Sequence, residues 1–335
     1  MKLQAGIAFA GLCLAFMSCG TDPLRRVPGH FPKAEMDGEE NLWSEQGAKL
    51  GERLFNEPLL SKSNTVSCAT CHQPAHSFAD PGKVLSTLPG QEAPLRHTPA
   101  LINLAWQTAF FWDGGALNLE SVSLSPLIGH REMAQDLKEM VQELSQKENY
   151  RKQFKQIFGS DSIVTAYVLK ALAQYMRTIQ QTQTPYDAYK EGKIVINETQ
   201  KKGEQIFNQY CAGCHVPPLF TDFKYHNTGF DTLLEGGEFN FRSGRMRISG
   251  EESDRGKYKT PSLRNWKYTY PYGHNGQFAG LEPLLKHYTQ DLASRNMVPD
   301  PLLYTEGKPG LLMNEGDLAA LTEFLDLLNE RENEK

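Results

Sequence analysis

No cysteine in this chain is left over for a structural disulfide. Six are present: Cys13 and Cys19 near the N-terminus, and Cys68, Cys71, Cys211 and Cys214 in two close pairs. A disulfide scaffold of the small secreted kind does not fit that pattern. Positive charge is not in excess either. Lys and Arg number 35 against 40 Asp and Glu, for a net charge of −5 and a pI near 6.0, so nothing draws the surface to nucleic acid. No segment sustains strand alternation, which argues against a β-rich fold. What remains is ordinary globular composition: 39% hydrophobic and 22% charged residues over 335 positions, enough for two domains with proper cores.

The opening MKLQAGIAFAGLCLAFMSCG reads as an export signal. Lys2 supplies the positive end, and Leu3 to Met17 is an apolar run too short to span a bilayer comfortably. FMSC resembles a bacterial lipobox, in which the cysteine, here Cys19, becomes the lipidated first residue of the mature chain. Phe16 is bulkier than the usual Leu, so cleavage without lipidation is the alternative. Either way residues 1–19 send the protein to the periplasm or cell envelope, held at the membrane by lipid if Cys19 is acylated.

SCATCHQP (67–74) packs two cysteines and a histidine into five positions, and YCAGCHVP (210–217) repeats the arrangement. Three chemistries compete for Cys-x-x-Cys-His. A redox dithiol needs no histidine directly after it. A zinc site needs four ligands, which two such pairs could supply together. Covalent haem uses both thiols as thioethers to the porphyrin vinyl groups and the adjacent imidazole as the proximal iron ligand. Two copies favour the last: two haem c groups, on Cys68 and Cys71 with His72, and on Cys211 and Cys214 with His215. Export agrees, because such haems are attached outside the cytoplasm.

The chain also repeats around these motifs. GERLFN (51–56) precedes the first and GEQIFN (203–208) the second, each with apolar residues at helical spacing. TPALINLAWQTAFFWDGGALNLE (98–120) matches TPSLRNWKYTYPYGHNGQFAGLE (260–282) without a gap. The expected architecture is mainly α: two tandem cytochrome c-like haem domains related by internal duplication. Boundaries are set at 43–183 and 199–335, with linkers at 20–42 and 184–198. Trp112 in the first copy faces His274 in the second, and Asp113 faces Asn275, so the two haem surroundings are unequal.

From about Leu50 to Tyr288 the sequence resembles the bacterial di-haem cytochrome c peroxidases and the related MauG enzymes. The resemblance rests on SCATCHQP, TPALIN, FFWDGGALNLE, Glu132–Met133, CAGCH and KTPSLRNWKYTYPYGHNG. It implies that the N-terminal haem reacts with peroxide and the C-terminal haem passes electrons. It gives Trp112 the place between the haems and Glu132 the place of the distal acid/base; splitting an O–O bond needs such a group to move a proton. Read alone, Glu132 is equally a solvated carboxylate at a helix start and Trp112 a core aromatic. Arg264 matches a position near haem propionates, where a guanidinium fork suits a carboxylate.

Several positions depart from the usual pattern. The residue ten after Trp112, often a distal glutamine, is Val122, which removes a hydrogen-bond donor. STLPGQEAP (86–94) lacks the histidine that blocks the resting first haem in many relatives, so that haem is expected open. Fourteen residues after His274 stands Tyr288 where ordinary members carry a methionine ligand and MauG-like members a tyrosine. Phenolate favours oxidised iron and lowers the potential. A buried helix tyrosine is the plainer reading, with Met246, Met297 and His287 as rival ligands. His97 replaces an asparagine that supplies a calcium ligand, although backbone carbonyls around Thr260 could still hold an ion between the domains. His76, His130 and His226 read as loop or surface histidines.

The leading function is reduction of hydrogen peroxide to water with electrons from a small cytochrome or copper protein. A MauG-like enzyme using peroxide for long-range oxidation of a protein or organic substrate is the alternative. A non-catalytic di-haem electron carrier is the third reading, opposed by Glu132 and by an open first haem. Oligomeric state, a homodimer included, stays open.

Overall fold

Helix pairing repeats across the chain as the sequence does. In this computed structural model, residues 27–38, 40–231, 243–292 and 298–330 are described. The export signal with Cys19, and Met297, lie outside them. The helices are α1 (Glu45–Phe55), α2 (Cys68–Cys71), α3 (Leu119–Val122), α4 (Leu124–Ile128), α5 (Leu137–Gln146), α6 (Glu148–Phe158), α7 (Thr165–Thr178) and α8 (Pro185–Lys190). Then come α9 (Glu198–Tyr210), α10 (Met246–Ser249), α11 (Leu281–Lys286) and α12 (Glu315–Asp326). Strands are minor: β1 (Tyr225–His226) pairs antiparallel with β2 (Tyr258–Lys259), and β3 (Tyr304–Thr305) with β4 (Lys308–Pro309). The fold is mainly α, as expected.

Local chemistry sets the helix ends. Ser44 caps α1 by accepting the Gly47 N–H, Asn197 and Gln200 form a capping box on α9, and Asn314 and Asp317 form another on α12. Each copy then packs its leading helix on its closing helix, α1 on α7 and α9 on α12. Both packings rely on a glycine at the crossing. A Cβ on Gly51 would sit 2.0 Å from the Ala171 carbonyl oxygen, and one on Gly203 would sit 2.0 Å from that of Ala320. The duplication is thus visible in backbone contact as well as sequence. Asn103 and Asn265, equivalent in the two copies, share φ 56° and ψ 31°.

Two cores follow. One gathers buried residues from Leu50 to Ile179, centred on Leu54, Phe55, Met140 and Phe154. The other runs from Tyr186 to Leu328, centred on Phe207, Phe220, Leu321 and Phe324. Both expected linkers need correction. Residues 184–198 hold α8, opened by Pro185 and a Thr184–Asp187 capping box, and its Tyr186 belongs to the second core. Within 20–42, Phe31, Ala34 and Met36 pack with Trp106 of the first copy and Leu219 of the second. That segment straps the two halves together.

The halves meet through a crossed pair of backbone bonds. His97 N–H donates to the His274 carbonyl at 2.9 Å, and Lys259 N–H donates to the Trp112 carbonyl at 2.8 Å. In the gapless repeat alignment His97 is equivalent to Lys259, and Trp112 to His274, so one contact is made twice in opposite directions.

Gly51→Ala and Gly203→Ala test the packing. Alanine alone favours a helix by about 1 kcal/mol, yet the forced displacement of helix backbone is expected to dominate. Each variant should lose about 1–3 kcal/mol in denaturant unfolding; a gain would contradict the close-approach account.

Candidate functional site

Both Cys-x-x-Cys-His motifs line one continuous cavity of about 1070 Å³. That is at or above the upper end of ordinary small-molecule pockets, about 300–1,000 Å³. Cys68, Cys71, Cys211 and Cys214 are free of disulfides. Burial pushes the Cys68 and Cys211 thiols up to about 12. The two pairs do not converge as a single zinc site would require: among the described residues no group of three or more His, Cys, Asp or Glu is arranged to hold a metal ion.

Each motif histidine is held by one ring nitrogen. His72 Nδ1 lies 3.0 Å from the Phe78 carbonyl oxygen, and His215 Nδ1 lies 3.1 Å from that of Phe220. A carbonyl only accepts, so Nδ1 carries the proton and Nε2 keeps its lone pair. Burial lowers both imidazole pKa values and so favours the neutral, ligating form. Phe78 and Phe220 both adopt φ 55°, a left-handed backbone that turns their carbonyls back onto the rings. The donor set, the shared cavity and the fixed tautomers fit two c-type haems.

Glu132 lines the same cavity and is open to it, while desolvation raises its carboxyl pKa. A raised pKa suits a group that must both take and give a proton near neutrality. Val122, buried and also lining, offers no donor there. From 86–94 the lining takes Ser86, Leu88 and Pro94. Trp112 lines the cavity, with its indole N–H donating to the His97 carbonyl at 2.8 Å. The residue therefore touches both members of the crossed interface.

Tyr288 lines the cavity from a π-helical turn (His287–Asp291) that continues α11. Such single turns often mark functional positions. Burial, then the nearby Cys214 and Cys211, push its phenol pKa up, so a phenolate there requires a strongly electropositive partner. The rivals recede. His287 points elsewhere, its Nε2 donating to the Thr228 carbonyl at 2.8 Å, and neither it nor Met246 lines the cavity.

Arg264 is a correction. Instead of facing the cavity it is fully buried, its fork bidentate on Asp187 at 2.8 and 2.7 Å and its Nε on the Pro218 carbonyl. The reason is charge pairing: Asp187, on the expected linker, is the carboxylate that folding delivers to it. Burial raises the Asp187 pKa, but the bonds and charge of Arg264 outweigh this and hold it low.

Sequence reading missed several groups. His226, expected at the surface, is part-buried in the lining between Asp300 (2.7 Å) and Asp222 (2.9 Å). His130 is exposed but also lines the cavity. Asp231 binds both the Tyr258 hydroxyl at 2.9 Å and His274 Nε2 at 3.0 Å, with the two rings stacked. Only the His–Asp spacing could have hinted at such pairs, and it is too common to single them out. The Thr260 carbonyl, expected beside calcium, accepts the Thr221 hydroxyl at 2.7 Å.

Comparison with known proteins agrees with this geometry. Residues 45–194 match a family described as di-haem cytochrome c peroxidase. Methylamine utilization protein MauG of Methylophilus methylotrophus is 33% identical over 83% of this chain and 82% of its own length. Cytochrome c551 peroxidase of Nitrosomonas europaea is 33% identical over 84% and 80%. A solved MauG-like protein associated with microbial copper homeostasis superposes with TM-score 0.80 and 26% identity, covering 91% of this chain and 95% of that one.

Asp187→Ala should expose the structural role of the buried pair. An uncompensated Arg264 is expected to cost about 3–5 kcal/mol in unfolding at neutral pH. Because the folded Asp187 pKa is depressed, its contribution is complete above the ordinary carboxylate pKa of about 4. It is lost as pH falls through the lower folded value. The variant's deficit should therefore shrink in acid; a pH-independent deficit would contradict the ion pair.

Proposed function

This chain belongs to the di-haem cytochrome c peroxidase family, and from that premise we propose how its own residues divide the reaction. The protein is an oxidoreductase of the cytochrome-c peroxidase type carrying two haem c groups. Its chemistry is reduction of hydrogen peroxide: one peroxide, two electrons and two protons give two waters. The observation that carries the assignment of roles is Glu132, a carboxyl of raised pKa facing the cavity that His72 also lines.

Bound haem iron supplies the redox chemistry of O–O cleavage. In this proposal Cys68, Cys71 and His72 would hold one haem, and Cys211, Cys214 and His215 the other. Glu132 accepts a proton from one peroxide oxygen and returns it to the other, so that water leaves instead of hydroxide. Trp112, bonded to His97 at the domain crossing, carries electrons between the halves. The electrons come from a small cytochrome or copper protein. Tyr288, on its π-helical turn, would help to hold the second haem. The reaction is assigned to the periplasm or cell envelope, by the export signal and the chemistry of haem attachment; no helix among the described residues is long and apolar enough to cross a membrane. A lipid anchor on Cys19 and a calcium ion near Thr260 are finer proposals, tested by intact mass and elemental analysis.

A second reading, long-range oxidation of a protein or organic substrate, is favoured by Tyr288 in the lining and by the lack of histidine in 86–94. Oxidised protein mixed with peroxide and then with reduced cytochrome separates the readings. Fast discharge with steady turnover supports the peroxidase; a long-lived oxidised state that cytochrome discharges poorly supports the second. No spectral response to peroxide would leave a plain carrier.

Glu132→Gln should reduce peroxide turnover by about 10²–10⁴-fold with haem content unchanged. Near-native turnover would remove Glu132 from the acid/base role. Tyr288→Phe should alter the low-spin spectrum of the second haem; an unchanged spectrum would remove Tyr288 as a ligand.

A further inference from the structure

Once Arg264 is turned to Asp187, the propionate carboxylates of the haems need another partner. Four lysine or arginine side chains line the cavity: Arg96, Arg131, Arg247 and Lys259. Arg96 and Arg247 both meet Asp113, at 2.7 and 2.5 Å, and Arg131 meets Glu92 at 2.5 Å. Lys259 meets no carboxylate among the described residues. Its Nζ donates to the Gln107 side-chain oxygen at 2.6 Å and to the Ala109 carbonyl at 2.7 Å. An ammonium group has three N–H donors, and these two neutral oxygens leave it a donor and an uncancelled charge.

Its surroundings point the same way. Asp113, which also lines the cavity, already faces two guanidinium groups. The local balance is therefore positive in a cavity built for a cofactor with carboxylate side chains. Lys259 also crosses between the domains. Its backbone lies on β2 and bonds Trp112, while its head lies among Gln107, Ala109 and the Phe110 ring, all of the first copy.

We infer that Lys259 of the second domain binds a propionate carboxylate of the first haem, a role of the kind that the family resemblance implies for Arg264. This rests on the di-haem reading above. Reduced haem carries one negative charge more than oxidised haem, so a fixed cation beside it favours reduction. Lys259 is thus a cofactor-binding residue that also sets the potential of the first haem from the other half of the molecule.

The test compares Lys259→Met, Lys259→Gln and Lys259→Arg in the haem-loaded, full-length protein. Haem per chain is counted first; two per chain in wild type and variants keeps the di-haem reading intact independently of this one. Spectroelectrochemical titration then gives both midpoints, and resonance Raman the propionate bending modes. The neutral variants should lower the first haem's midpoint and shift its propionate modes, while arginine stays near wild type. Should Lys259→Met not fold, Lys259→Gln keeps a polar head without the charge and gives the same reading. Unchanged midpoints and propionate modes in a neutral variant with two haems would overturn the inference and leave Lys259 as a domain staple.

Discussion

The site depends on one hydrogen bond made twice: a backbone carbonyl turned back onto the imidazole that follows each Cys-x-x-Cys pair. Phe78 and Phe220 take a left-handed backbone to present it, a conformation that costs a non-glycine residue about 1–3 kcal/mol. The surrounding cores hold it in place, with Phe220 fully buried and Phe78 packed on Phe55. In return the tautomer is fixed and Nε2 of each histidine keeps its lone pair. Without that constraint the motifs would offer thiols and a freely rotating ring.

Duplication explains the rest of the architecture, and divergence explains its use. The glycine crossings at Gly51 and Gly203 and the paired Asn103 and Asn265 turns are inherited features of one ancestral packing. At the domain boundary the same two backbone contacts recur with different side chains. Trp112 and His97 stand on one side, His274 and Lys259 on the other. The first side offers an indole; the second places its imidazole on Asp231, stacked with Tyr258. Equal scaffolds with unequal linings are what a division between a reactive haem and an electron-passing haem requires.

Much of this was legible in residue order, because it depends on short range. The haem motifs, the helical periodicity around GERLFN and GEQIFN, and the gapless repeat are all local. Buried charge partners are not. Arg264 and Asp187 lie 77 positions apart, and the repeat gives no sign that a residue on an expected linker will meet that guanidinium. The α8 turn was hidden because its polar letters belong to caps and ion pairs more than to solvent. His226 read as a surface residue for a related reason: Asp222 lies only four positions back, but Asp300, the second carboxylate that clamps it, lies 74 positions on.

The central claim is that each half of the chain carries one covalently attached haem in a shared cavity. A pyridine haemochrome count on exported, mature protein of known concentration tests it most directly. Two thioether-linked haems per polypeptide are expected; one or none would contradict the account.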